Sequence, residues 1–114
     1  MEVAFSERLK RAIGDEGQHL QKKLGHLSRR FKMRIDQMKA ADHYYEYQSI
    51  GLGRPHLLDG DLKGCFAVDL TGNYRIIARL GTDDLSPEAL KICDEVIIEG
   101  VVDYHGKGNN WFIP

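Results

Sequence analysis

Apolar residues in the first third of the chain recur at the spacing of an amphipathic helix. They are separated by steps of three or four residues, the period that places side chains on one side of a helix: Leu20, Leu24, Leu27, Phe31, Ile35 and Met38. This stripe predicts one long helix with a buried side and a basic, solvated side. The helix is expected to begin at Asp15 or Glu16 and to end near Ala40.

Shorter elements flank this helix on both sides. Residues 2–5 read as a short strand, and Ser6 is a suitable N-cap for a brief helix that ends at Gly14. After the long helix, the tyrosine-rich residues 42–47 predict a third helix, because Tyr44, Tyr47 and Ile50 fall on one side of a helix. Those tyrosines could stack RNA bases or pack beneath the following loop.

The period of the pattern changes to two in the second half of the chain, which is typical of strands. Cys65 to Leu70 and Tyr74 to Leu80 alternate around a turn and predict a hairpin. Glu95 to Val102 predicts a further strand, after an acidic insertion at residues 81–92 that contains one helical turn. Helices followed by antiparallel strands predict an α+β fold, with N-terminal helices packed on one face of a small twisted antiparallel sheet.

Strand alternation also sorts the polar residues between the two faces of this sheet. In the hairpin, Arg75 and Arg79 share one face. Along the last strand, the same alternation places Asp103 and His105 on the half-polar face, towards which the two arginines could also point. Gly100 could mark a bulge that redirects the residues after it.

Charge is distributed unevenly along the chain. The 114 residues contain 16 Lys and Arg against 17 Asp and Glu, for a net charge of −1. Residues 1–40 hold ten of the basic residues and five of the acidic ones, so residues 41–114 are strongly acidic. This asymmetry indicates a partner for the basic half, either nucleic acid or an acidic protein. Salt bridges between the two halves are the alternative explanation.

Composition limits the class of protein. The length suits a single domain, which we place at residues 1–105 with a C-terminal tail at residues 106–114. The sequence has neither a membrane-spanning apolar run nor a signal-peptide pattern. Its two cysteines fit reduced core thiols better than a disulfide or a metal cluster. These features predict a cytoplasmic protein that does not contact a membrane.

Two segments resemble the HigB-type toxins of the RelE/ParE toxin-antitoxin superfamily, also called plasmid maintenance killer proteins. The first is Gly-Arg-Pro-His-Leu-Leu-Asp-Gly-Asp-Leu-Lys-Gly at 53–64, with the hairpin that follows it, and the second is Val-Asp-Tyr-His at 102–105. The resemblance implies the RelE/ParE-like fold and ribosome-dependent cleavage of messenger RNA. It also implies a cognate antitoxin, which we expect to be a helix-turn-helix protein. Many relatives have lysine where this chain has Asp59, which removes a cation.

The same resemblance implies four active-site residues: His56, Asp103, Tyr104 and His105. Metal-free RNA cleavage requires deprotonation of the 2′-hydroxyl and protonation of the leaving 5′-oxygen. Histidine suits both steps, because its unperturbed pKa is about 6.5. We therefore predict that His56 and His105 are the acid/base pair, in either order. Asp103 would orient an imidazole or the backbone, and Tyr104 would stack a base or donate to phosphate. No metal or cofactor is predicted.

Three cations are candidates for holding the RNA backbone: Lys63, Arg75 and Arg79. Cations near the non-bridging phosphate oxygens stabilise the charge that develops in the transition state, and arginine does so as a two-pronged donor. Pairing of the two arginines with Asp69 or Glu99 on neighbouring strands is the structural alternative.

Two other functions are compatible with parts of the sequence. Asp59 and the acidic insertion favour a non-catalytic protein-binding module of the same superfamily, or a regulatory partner within a toxin-antitoxin complex. A ParE-like toxin acting on gyrase is disfavoured, because such relatives generally lack the terminal Asp-Tyr-His. The sequence leaves the oligomeric state and the codon preference open.

Overall fold

Helices dominate the first half of the chain in the computed structural model, which describes residues 1–104 and 110–114. In this half they are α1 (Glu7–Ile13), α2 (Leu20–Leu24), α3 (Ser28–Ala40) and α4 (Tyr44–Ile50), with a 3₁₀ turn at Gly25–Leu27. In the second half, α5 (Pro87–Leu90) and a 3₁₀ turn at Gly60–Leu62 lie between strands. Side chains of Ser6, His43 and Ser86 cap α1, α4 and α5 by accepting backbone N–H groups. The predicted cap at Ser6 is therefore confirmed.

The predicted long helix is wrong in its first half. Regular helix begins at Leu20 rather than at residue 15 or 16, and it is interrupted at Gly25 before α3 continues to Ala40. Gly17 and Gly25 have φ angles of 77° and 56°, which glycine adopts without the penalty that a Cβ would bring. The apolar stripe survives this break, because all six of its residues are buried.

Strands from both ends of the chain form one mixed sheet. They are β1 (Glu2–Phe5), β2 (His56–Leu57), β3 (Cys65–Asp69), β4 (Tyr74–Leu80), β5 (Glu95–Asp103) and β6 (Asn110–Ile113). The order is β1-β5-β4-β3-β2, and β6 pairs with the last part of β5. β1 runs parallel to β5, whereas the other pairs are antiparallel. The predicted α+β fold and hairpin are confirmed, with one parallel pair added.

The two faces of the sheet have different neighbours. On the helix face, residues such as Phe66, Val68 and Ile76 join the helical stripe in the main core. The opposite face, which we call the open face, carries a small buried cluster of Cys65, Ala67, Ile77 and Val102. Leu58, Leu62 and Tyr104 pack against this cluster, and no residue of a described α-helix joins it.

A bulge in β5 reverses the predicted orientation of its last residues. Ile77 pairs with Gly100 and Ala78 with Ile98, so that Glu99 is the extra residue. An extra residue shifts the alternation by one, because side chains alternate with a period of two. Val102 and Tyr104 consequently join the open face, whereas Asp103 lies opposite Tyr74. The predicted bulge is confirmed, and the predicted direction of Asp103 is wrong.

No helix among the described residues is long and apolar enough to span a membrane; α3, with 13 residues, is an amphipathic helix on the core.

Candidate active site

The open face is a grid with an apolar centre and charged ends. Strand register places three rows across it: His56–Ala67–Ile77–Gly100, Asp69–Arg75–Val102 and Cys65–Arg79–Ile97. Residues directly opposite on neighbouring antiparallel strands point to the same face. Polar side chains from separate segments of the chain are thereby gathered on one surface.

One end of this grid is organised around the Asp69 carboxylate. Arg54 Nε donates to Asp69 Oδ2 at 2.7 Å, and Arg75 Nε lies 2.6 Å from Asp69 Oδ1 as an ion pair without the alignment of a hydrogen bond. The Arg75 side chain is only 12% exposed, and its Nη1 donates to the carbonyl of Thr71 at 2.8 Å. Arg54 is 74% exposed. Arg75 is therefore largely committed to the protein, whereas Arg54 faces solvent.

Tyr104 lies against this end of the grid. The Arg75 guanidinium sits 5.0 Å from the centre of the Tyr104 ring, within the range of a cation–π contact. The backbone N–H of Tyr104 donates to the carbonyl of Asn73 at 2.7 Å, which fixes the chain just after β5. The half-buried ring therefore has a defined position on the open face.

Arg79 marks the opposite end of the grid and is more accessible. Its Nη2 donates to Glu99 Oε2 at 3.3 Å, and its side chain is 49% exposed. Lys63, also exposed, joins Arg79 in lining an open cavity of about 240 Å³, with Thr82 and Asp83 on the wall. A phosphate placed here would meet two cations that retain access to solvent.

His56 stands on the short edge strand β2 and is exposed. Its Nδ1 lies 2.9 Å from the carbonyl oxygen of Arg54. Because a carbonyl only accepts, Nδ1 must carry the proton in this hydrogen bond, which leaves Nε2 with the lone pair in the neutral imidazole. The ring is thus oriented by its backbone neighbour and presents a basic nitrogen to solvent.

The structure brings together five of the seven predicted site residues on or beside the open face: His56, Lys63, Arg75, Arg79 and Tyr104. Asp103 does not join them, because the bulge turns it to the other side. His105 lies outside the described residues. β2 is separated from β5 by three strand spacings, or about 14 Å, so His56 and the end of β5 border opposite sides of the face.

Sequence reasoning missed Arg54, whereas the alternative it gave for the two arginines, pairing with Asp69 or Glu99, is confirmed. Arg54 stands immediately before Pro55-His56 in the segment with turn character, which was the available signal. Its φ of 55° is unusual for a residue with a side chain. From the helix side, Arg34 Nε donates to the Asp69 carbonyl at 2.8 Å, so both the backbone and the side chain of Asp69 are held by arginine.

Cys65 is a poor candidate for a nucleophile on this face. Burial raises the pKa of the Cys65 thiol, against the opposing effect of the Arg79 guanidinium, so the thiol remains protonated near neutral pH. Within residues 1–104 and 110–114, no group of three or more His, Cys, Asp or Glu side chains is arranged to hold a metal ion.

Comparison with solved structures relates this fold to toxins. The YoeB–YefM complex from Staphylococcus aureus gives a TM-score of 0.58 at 12% identity, covering 93% of this chain and 98% of that one. The YoeB/ParE toxin from Agrobacterium tumefaciens gives 0.58 at 16% identity, covering 93% and 100%. The YoeB dimer from S. aureus gives 0.56 at 13% identity, covering 93% and 98%.

These similarities establish the fold as RelE-like, of the kind found in YoeB/ParE toxins. The sequence itself matches no protein-family model and no curated protein. At identities of 12–16% the similarity concerns the fold, so the active site must be argued from the residues of this chain.

Proposed function

We propose that this protein is the toxin of a type II toxin-antitoxin system and cleaves messenger RNA on its open face. The observation that carries the proposal is the placement of an oriented, exposed histidine and several cations on the one sheet face that no described α-helix covers. The RelE-like fold, which it shares with proteins named as toxins, supports the same conclusion. The motifs at 53–64 and 102–105 favour a HigB-type enzyme acting on the ribosome.

The proposed mechanism is metal-free acid/base catalysis. In the neutral ring, His56 Nε2 keeps its lone pair and accepts the proton of the 2′-hydroxyl; if His56 is the acid, the ring starts protonated and Nε2 donates its proton to the leaving 5′-oxygen. His105 follows Tyr104 directly in sequence and takes the complementary step. Arg79 and Lys63 hold phosphate through exposed donors, and Arg75 fixes Tyr104 beside the RNA.

A cognate antitoxin silences this activity in the proposal. S. aureus YoeB is known in a complex with YefM, which is consistent with an antitoxin partner for the present chain. We expect the partner to be encoded beside the toxin and to be a helix-turn-helix protein. The toxin would then act in the cytoplasm, where its messenger-RNA substrate is translated.

The test is induced expression of the wild type, His56→Ala and His105→Ala, followed by mapping of messenger-RNA ends. The wild type should arrest growth and generate new RNA ends on translated messages, and each variant should lose both effects. His26→Ala, at an exposed histidine in a 3₁₀ turn, is the matched control and should remain toxic. Full toxicity in the His56→Ala, His105→Ala double variant would overturn the proposed mechanism.

A non-catalytic protein-binding module is the second candidate, and a surface between α3 and α4 favours it. Gln37, Ala40, Ala41, Tyr47, Ile50 and Leu52 line an apolar cavity of about 140 Å³. Ile50 is 60% exposed, although large apolar side chains are usually buried. Further along the same side of α3 lie Arg29, Arg30 and Met33. A partner segment that carries apolar residues followed by acidic ones would complement this surface, and an antitoxin segment is the occupant we infer.

Ile50→Asp tests this second function, because it places a charge on the apolar surface while altering an already exposed side chain. It should weaken binding of the coexpressed antitoxin. Ile92→Asp, at a side chain that is 79% exposed, is the control. If only Ile50→Asp has an effect and both histidine variants behave like the wild type, the chain is a binding module rather than a nuclease.

A further inference from the structure

The last described strand brings a tryptophan to the open face. Trp111 on β6 pairs with Val102 on β5, and Val102 belongs to the buried cluster of the open face. Because opposite residues of an antiparallel pair share a face, the indole ring stands on the open face as well. Its side chain is 41% exposed, so a large part of the ring surface is accessible.

Trp111 extends a row that contains Arg75, one of the predicted phosphate-binding residues. The row runs Asp69–Arg75–Val102–Trp111 across four strands. Two strand spacings separate Trp111 from Arg75, which amounts to about 10 Å between their backbones. The Tyr104 ring lies beside this row under the Arg75 guanidinium. Two aromatic side chains, Tyr104 and Trp111, therefore lie on the same face as the Arg75 guanidinium.

Two other side chains of β6 anchor this strand to the sheet, and the Trp111 indole is not one of them. Ile113 is buried in the main core, and the Phe112 ring meets Tyr74 at 5.2 Å. At Gly100 a Cβ would overlap the Ile113 carbonyl oxygen, so a glycine is needed where β6 approaches β5. Since two neighbouring side chains anchor the strand, the exposure of Trp111 is not explained by a packing role.

We propose that Trp111 stacks on a nucleobase of single-stranded RNA bound across the open face. The inference deepens the proposed nuclease function and rests on it for the identity of the ligand. Stacking of bases on aromatic side chains is a general way to bind single strands and tolerates different sequences. Trp111 would position the RNA, while the exposed cations of the grid hold its phosphates.

The chain contains a single tryptophan, so its fluorescence reports on this position alone. The probe is a ten-nucleotide RNA of mixed sequence with 2′-O-methyl groups, which binds but cannot be cleaved through a 2′-hydroxyl. Titration into the wild-type protein should quench the fluorescence in a saturable manner. The affinities of variants are measured by the anisotropy of the same RNA carrying a fluorescein label.

Trp111→Ala should weaken RNA binding by about five- to one-hundred-fold, the range expected for loss of one stacked base. Trp111→Phe should recover most of the affinity, because phenylalanine also stacks. Tyr45→Ala is the matched control: this aromatic is also 44% exposed, but it lies on α4 and neither joins the open-face cluster nor anchors β6. Its affinity should stay close to that of the wild type.

The outcomes separate this inference from the proposed function. RNA cleavage without fluorescence quenching, or equal losses in Trp111→Ala and Tyr45→Ala, would overturn the stacking role and leave the nuclease intact. Saturable quenching without any cleavage would support stacking and overturn the nuclease. An unchanged affinity in Trp111→Ala would refute the inference whatever the activity.

Discussion

The two faces of the sheet are built on opposite principles. The helix face is dry and aromatic: Phe66 is fully buried with Tyr44 and Tyr47 around it, and within the described residues neither tyrosine hydroxyl has a hydrogen-bond partner. On the open face the buried apolar cluster is small, and Asp69 and Glu99 each pair with arginine. Burial of apolar side chains stabilises the helix face. On the open face, exposed charged side chains pair with one another and change the free energy of unfolding little.

This difference indicates where stability and function reside. Changes on the helix face should alter the free energy of unfolding and affect activity only through the loss of folded protein. Changes at exposed positions of the open face should alter activity and leave the free energy of unfolding nearly unchanged. Arg75 lies between these cases, because it is on the open face but mostly buried.

Phe66→Ala should have the largest effect on stability. The side chain is fully buried, with its ring centre 4.8 Å from that of Tyr44. Its removal should lower the free energy of unfolding by about 4 kcal/mol, through lost burial and the cavity that remains. Urea unfolding followed by circular dichroism measures the change. An unchanged midpoint would contradict the assignment of the main core to this face.

Arg75→Ala should be the most destabilising change on the charged part of the open face. The Arg75–Asp69 pair is 12% and 19% exposed, and removal of one partner from a mostly buried pair costs about 3 kcal/mol. Arg54→Ala removes the other arginine from the same carboxylate, but Arg54 is 74% exposed and should cost less than about 1 kcal/mol. Equal losses in the two variants, measured by urea unfolding, would show that burial does not distinguish them.

The tyrosines of the helix face should make the protein sensitive to alkali. Burial raises the pKa of Tyr47 to about 12, with the Arg34 charge opposing the shift. Because the folded state holds this proton more tightly than the unfolded state, the stability contributed is complete below pH 10 and is lost as pH rises through 12. Tyr47→Phe should equal or exceed the wild type at pH 7 and lose less stability between pH 10 and 12. Tyr45→Phe, at an exposed tyrosine, is the control.

Arg79→Ala should change RNA binding with little effect on folding. The side chain is half exposed and pairs with Glu99, so its loss should cost less than about 1 kcal/mol of stability. If Arg79 contacts one phosphate, the slope of log affinity against log salt concentration should fall by about 1. A slope equal to that of the wild type in a titration from low to moderate salt would show that Arg79 does not contact an RNA phosphate.

Periodicity predicted most of the fold because burial enforces it. The hairpin of β3 and β4 follows from alternation, and the stripe from Leu20 to Met38 is buried as its spacing requires. The parallel pairing of β1 with β5 was beyond this reasoning, since it joins residues more than ninety positions apart. The break at Gly25 was also missed, because a glycine in a helical pattern signals only a weak preference.

The candidate site was harder to predict, since it depends on register rather than on pattern. One extra residue at Glu99 turns Asp103 away and brings Tyr104 to the open face, and no periodicity argument fixes that residue in advance. The motif resemblance still located His56, and alternation placed Arg75 and Arg79 together. Arg75 is more buried than Arg79, and this difference could not be predicted from the sequence. It arises because Asp69, Thr71 and Tyr104 pack around the Arg75 guanidinium.

Asp59→Lys should give the smallest effect and tests whether the accessible end of the open face binds phosphate. Asp59 is exposed, with extended backbone, just before the 3₁₀ turn that leads to Lys63, so the substitution should not disturb folding. A lysine here adds a cation to the segment that leads to Lys63, which lines the cavity together with Arg79, and affinity for the 2′-O-methyl RNA should rise a few-fold at low salt. Asp61→Lys makes the same charge change two residues away. If both variants gain equally, the effect is long-range attraction; a larger gain at Asp59 indicates a phosphate held beside it.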